Sequence, residues 1–197
     1  MSPSPRQITR DDILPMDDYA KSRGERRSAL VAEKRNRRLA VGPDVMFYFE
    51  NYDTMWFQIH EMLYIEKGGE EQIADELAAY NPLIPQGNEL VATMMIEIDD
   101  PARRARDLAQ LGHVEDHIYL QVGDEEIRGV PEEDTDRTTD DGKTSAVHFI
   151  HFPLTDSASA AFADPSVQAS LAIKHDYYLH MAGIAGDTRA ALAQDLI

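Results

Sequence analysis

Apolar positions recur with two different periods along this chain, and each period predicts a different kind of element. From Asp44 to Glu66 (DVMFYFENYDTMWFQIHEMLYIE), Met46, Phe49, Tyr52, Met55, Trp56, Ile59, Met62 and Leu63 cover more than half of a helical wheel. Phe47, Phe57 and Ile65 fill much of the remainder. A helix apolar nearly all round is a core helix, so the segment predicts one long buried helix. Lys67 with Gly68-Gly69 predicts its end, and Glu70–Tyr80 a second helix closed by Asn81-Pro82. Upstream, residues 1–20 carry Pro3, Pro5 and Pro15 and predict an extended lead-in. Residues 22–39 predict an exposed helix that Val41-Gly42-Pro43 terminates.

After residue 88 the period shortens. Glu89–Ile98 reads as an apolar strand, Asp100-Pro101 opens a helix to about Leu111, and His117–Val122 is a strand with Glu125–Val130 as its hairpin partner. Thr144–Leu154 alternates, with Val147, Phe149 and His151 on one face and His148, Ile150 and Phe152 on the other. Ser157–Ala163 predicts a short helix, Val167–Ile173 a strand and Asp187–Ile197 a last helix. Helices followed by a strand-rich half give an α+β fold, with long buried N-terminal helices packed on a mainly antiparallel sheet. Two parts are expected: 1–40 as polar lead-in and basic helical arm, and 41–197 as a single α+β domain.

Charge sharpens that division. The net charge is −17, yet residues 1–38 hold ten Lys/Arg against six acids, while the remaining 159 hold nine against 30. So acidic a body repels phosphate backbones and counts against nucleic-acid binding. The arm from Lys21 to Arg38 has eight basic residues in eighteen, but no aromatic residue lies between Tyr19 and Phe47 to stack on bases. Its favoured role is therefore to lie against this protein's own acidic body or a second copy, which makes a homo-oligomer one expected assembly. No apolar stretch is long enough to suggest a membrane span or an export signal, so the cytoplasm is the expected compartment. The absence of cysteine excludes disulfides and thiolate metal sites.

The polar residues of the predicted core helix are the informative ones. Glu50, Thr54, Gln58 and Glu61 recur at i, i+4, i+8 and i+11 as one stripe. A buried carboxylate needs a cation or donors. The two glutamates would lie roughly 16 Å apart along a helix, too far to share a metal. Either could act as ligand or general acid/base, and the stripe could equally take the arm's arginines as a structural network. Asp53, His60 and Tyr64 form a second, solvent-facing edge. Among the other histidines, His113 and His117 have a weak metal spacing, and His148 and His151 point apart. His175, with His180, Asp176, Tyr177 and Tyr178, is a candidate acid/base cluster. Asp134, Asp136 and Asp140 lack the glycine and closing glutamate of a calcium loop. No motif specifies a cofactor.

The segments RRLAVGPDVMFYFEN (37–51), QIHEMLYIE (58–66), AAYNPLIPQGNELVATMMIEI (78–98) and the ending around His175–Tyr178 resemble a bacterial family of about 200 residues, domain-of-unknown-function family 3501. Members of that family are often encoded beside rubrerythrin-like proteins, so the resemblance implies a redox or oxidative-stress setting and a redox protein partner. The expected function is a non-enzymatic accessory or binding protein in such a pathway. The alternative is a metal-dependent or acid/base enzyme built on Glu50 or Glu61 and His175.

Overall fold

The computed structural model describes residues 6–132, 138–139 and 142–196. Its helices are α1 (Met16–Lys34), α2 (Tyr52–Glu66), α3 (Gly69–Tyr80), α4 (Pro101–Gln110), α5 (Asp156–Ala163) and α6 (Gly186–Leu192). Its strands are β1 (Arg38–Val41), β2 (Val45–Phe49), β3 (Glu89–Ile96), β4 (Ile118–Val122), β5 (Glu125–Arg128), β6 (Val130–Pro131), β7 (Val147–Pro153), β8 (Ala169–His175) and β9 (Tyr178–Gly183). The fold is α+β with every strand pair antiparallel. The strands form two sheets rather than one, in the orders β1-β2-β3-β7-β6 and β5-β4-β8-β9. The helices are spread along the chain, not confined to its start.

The period of two explains the layering. Val45, Phe47 and Phe49 of β2, Leu90, Ala92 and Met94 of β3, and Ile150 and Phe152 of β7 are buried and share one core with Ile118, Leu120, Leu171 and Ile173 of the second sheet. The opposite face of the first sheet meets α2, α3 and the N-terminal segment, where Val91 and Phe149 join Ile8, Ile13, Met55, Ile59, Leu63 and Ile73. The result is a helical layer, a five-stranded sheet and a four-stranded sheet.

The structure differs from the sequence expectations at several elements, beginning with residues 22–39: the helix there ends at Lys34, and Arg38–Val41 is β1 rather than the run-out of a helix. The single helix from Asp44 to Glu66 is a strand followed by a helix. Val45–Phe49 pairs with both β1 and β3, and α2 starts only after Asn51. A reciprocal cap fixes that start: Asn51 Oδ1 accepts from the Thr54 N–H at 2.9 Å, and Thr54 Oγ1 accepts from the Asn51 N–H at 2.9 Å. The lead-in is not simply extended either. Ile8 and Ile13 are buried, α1 begins at Met16, and Ile8 exchanges two hydrogen bonds with the Asn81 side chain. Finally, α2 ends on Lys67 rather than on a glycine. Lys67 adopts a left-handed φ of 58° and donates its N–H to the Leu63 carbonyl.

Gly42 shows how the two sheets are tied at one corner. Its φ is +74°, and a Cβ there would come within 2.5 Å of the Tyr178 hydroxyl. That hydroxyl donates to the Val41 carbonyl and accepts from the Asp44 N–H, so β9 is stitched to the β1–β2 turn.

Candidate functional site

Glu50 is the residue between the last paired position of β2 and the cap of α2. Its main chain is fixed on both sides: the N–H donates to the Val91 carbonyl at 2.8 Å, and its carbonyl accepts from Arg37 Nη2 at 2.9 Å. The side chain points to the helix-covered face of the first sheet and is only 5% exposed. Oε1 accepts a hydrogen bond from the Thr93 hydroxyl at 2.7 Å. Oε2 has no hydrogen-bond partner among the described residues. Arg37, which bonds the Glu50 carbonyl through Nη2, directs its other hydrogen bonds to the Phe49 carbonyl and Asp195 rather than to the Glu50 carboxylate.

Glu50 lines a cavity of about 430 Å³ between that sheet face and the helices. Register explains the walls. Thr93 lies opposite Tyr48 on one side and Phe149 on the other, and Met95 lies opposite Val147, so all five side chains fall on one face. Met55 and Gln58 of α2, Tyr80 and Leu83 complete the helical side, and Lys34, the last residue of α1, also lines the cavity. An apolar recess with a few converging polar groups is the ordinary form of a small-molecule site. A larger cavity, about 770 Å³, lies where α1 meets α2 and α3. Of its charged lining residues, Arg10 and Glu70 pair with each other at the surface, and among the described residues no buried unpaired side-chain atom lines it.

The other sequence candidates lie elsewhere. Glu61 does not line the Glu50 cavity. It faces α1, where Oε1 accepts from Arg23 Nε and the Tyr19 hydroxyl, both at 2.7 Å, and Oε2 accepts from Arg23 Nη2 at 2.8 Å. The Arg23 fork holds the Glu61 carboxyl below its ordinary range against the opposing effect of burial. The polar stripe is therefore split, with Glu50 on a strand end and Glu61 in an arm-to-helix ion pair. Replacing Glu61 with glutamine is expected to cost about 1–2 kcal/mol in urea unfolding, because it breaks a charge-assisted fork while leaving the cavity intact.

His175 ends β8. The Tyr177 N–H donates to its Nδ1, which leaves Nε2 to donate to the Gly112 carbonyl at 3.2 Å. Its ring meets His117 edge-on with centroids 5.2 Å apart. Glu50, Glu61 and His175 thus occupy three separate environments. Among the described residues no group of three histidine or acidic side chains is arranged to hold a metal ion. The acidic-loop residues Asp134, Asp136 and Asp140 lie outside the described residues.

His60, placed on a solvent edge from the sequence, is fully buried. Its ring stacks on Trp56, its Nδ1 bonds the Trp56 carbonyl at 2.7 Å, and its Nε2 accepts from the Leu14 N–H at 3.1 Å. Burial lowers its pKa, as expected for an imidazole held neutral. His151 is the opposite case. Its Nδ1 lies 3.0 Å from Glu89 and its Nε2 lies 2.7 Å from Glu132, and these carboxylates, Glu89 first, raise its pKa against burial. The two histidines bracket the stability optimum. A raised folded pKa gives His151 a contribution complete below about pH 6.5 and lost as pH rises through the folded value. A lowered one gives His60 a contribution complete above about pH 6.5 and lost as pH falls. Urea midpoints are expected to decline on the alkaline side, and His151→Gln is expected to flatten that limb alone. An unchanged alkaline limb in the variant would assign the decline to other groups.

The molecule is an α+β protein of two antiparallel sheets and a helical layer, with a carboxylate-floored cavity under that layer. Residues 7–196 match the family described as protein of unknown function (DUF3501), and the chain belongs to that family. It is similar to a protein of unknown function from Burkholderia pseudomallei K96243 solved by crystallography, at 38% identity. That likeness covers 97% of this chain and 100% of the other, with a TM-score of 0.90. No curated protein matches the chain. Among the described residues no helix is long and apolar enough to cross a membrane.

Proposed function

We propose that this protein is a binding module that holds a small organic molecule in the Glu50 cavity through a hydrogen-bond donor on that molecule. The observation that carries this reading is Glu50 Oε2, buried and without a hydrogen-bond partner among the described residues, on a side chain that lines a largely apolar recess. A native fold seldom leaves a carboxylate oxygen unpaired, since the unsatisfied group costs about 1–3 kcal/mol and more when charged. Such a cost is commonly tolerated where a ligand supplies the missing donor. Thr93 holds Oε1 and so aims the free oxygen. An accessory role in the cytoplasm, in a redox or oxidative-stress setting, belongs to the same proposal and rests on the family resemblance.

The test is retention. Wild-type protein and the Glu50→Gln variant are equilibrated with a small-molecule extract of bacterial cells, separated by gel filtration, denatured and analysed by mass spectrometry. A compound bearing an N–H or O–H donor is expected with the wild type and absent from the variant. Identical small-molecule profiles would refute the reading.

A further inference from the structure

Two opposite charges line this one cavity without meeting. Glu50, buried, and Lys34, half-exposed, both line it. Among the described residues no ion pair within 4.0 Å joins them. Among the described residues the Lys34 ammonium has no hydrogen-bond or ion-pair partner either. The rest of the lining is mostly apolar or aromatic, Met55, Leu83, Met95, Val147 and Phe149 among it, with Gln58 and Thr93 as its other polar side chains beside the two tyrosines.

We infer that the ligand is a small amphoteric molecule, with an ammonium group that pairs with Glu50, a carboxylate that pairs with Lys34, and an apolar body between. This rests on the proposed function and names its ligand class. A neutral donor would satisfy Oε2 but leave a buried negative charge uncompensated, whereas an ammonium group supplies both donor and charge. A simple amine would in turn leave Lys34 without a counter-charge. A ligand carrying both charges neutralises the site while its body covers the apolar wall. The acidic body of the protein favours entry of the cationic end first.

Calorimetric titration of the full chain decides the matter. The amphoteric probes are L-leucine, 4-aminobutanoate and 6-aminohexanoate, and the single-charge controls are hexylamine and hexanoate. At least one amphoteric probe is expected to bind about tenfold tighter than either control. Glu50→Gln is expected to abolish that binding. Lys34→Met is expected to reduce it to the hexylamine level while leaving hexylamine itself unchanged, which a merely structural lysine would not do. Hexylamine binding that depends on Glu50, with no amphoteric probe bound more tightly, would overturn the inference and leave the binding reading standing. No binding by any probe also overturns the inference, and the retention experiment then decides separately whether Glu50 holds a ligand at all.

Discussion

Replacing Arg37 with alanine is expected to destabilise the protein by about 3–5 kcal/mol, the cost of stripping one partner from a buried ion pair. Arg37 is 4% exposed at its side chain and Asp195 10%. The guanidinium donates to the Phe49 carbonyl at 3.0 Å and the Glu50 carbonyl at 2.9 Å, and it pairs with Asp195. Burial keeps the Asp195 carboxyl above its ordinary range even with the arginine alongside, so the pair recovers only part of its desolvation. Its importance therefore lies in what happens when one member is removed. Alanine at 37 strands a carboxylate and two main-chain oxygens. Combining Arg37→Met with Asp195→Leu removes the stranded charge and should recover part of the loss, but it leaves both carbonyls without donors. Urea unfolding of the single and double variants checks this. A loss below about 1 kcal/mol for Arg37→Ala would show that the network contributes little.

Glu50→Gln is expected to act with the opposite sign. In the ligand-free protein it replaces a buried carboxylate that has one hydrogen-bond partner with a neutral amide, and it keeps the acceptor that Thr93 uses. The variant should be about 1–3 kcal/mol more stable at neutral pH. It should also lose ligand binding altogether. A gain in stability coupled to a loss of binding is the mark of a residue retained for a partner rather than for the fold. The check is denaturant unfolding beside the retention assay. Destabilisation of more than about 1 kcal/mol would make Glu50 a structural member of the Arg37 network instead.

Much of the β-half was legible because punctuation and alternation agreed there. Asp100-Pro101 starts α4 one residue before its first turn, and the alternating His148, Ile150 and Phe152 are the buried face of β7. The segment Val45–Phe49 defeated the same reasoning. VMFYF is apolar at odd and even positions alike, so a period of two cannot be told from a period of 3.6 over five residues. The signal that separates strand from helix is the Asn51–Thr54 cap, which a wheel drawn continuously from Asp44 passes over. That continuous wheel places Glu50 in a helical stripe to which it does not belong. What makes it notable is burial at a strand end. Thr93, Phe149 and Lys34 carried no local signature. They meet Glu50 only because β3 and β7 pair in register and α1 ends over the same face. The wheel places His60 toward solvent because it cannot see the N-terminal segment that covers it.

The Arg37–Asp195 pair also sets an order of events during synthesis. The two partners are 158 positions apart in sequence, and chains emerge from the ribosome N-terminal end first at about 5–20 residues per second. Several seconds therefore separate the appearance of the arginine from that of the aspartate. Through that interval the strand end bearing Glu50 lacks one of its anchors, however well its own hairpin has formed. A nascent chain consequently cannot complete the Glu50 strand end until residue 195 has been added and has reached Arg37.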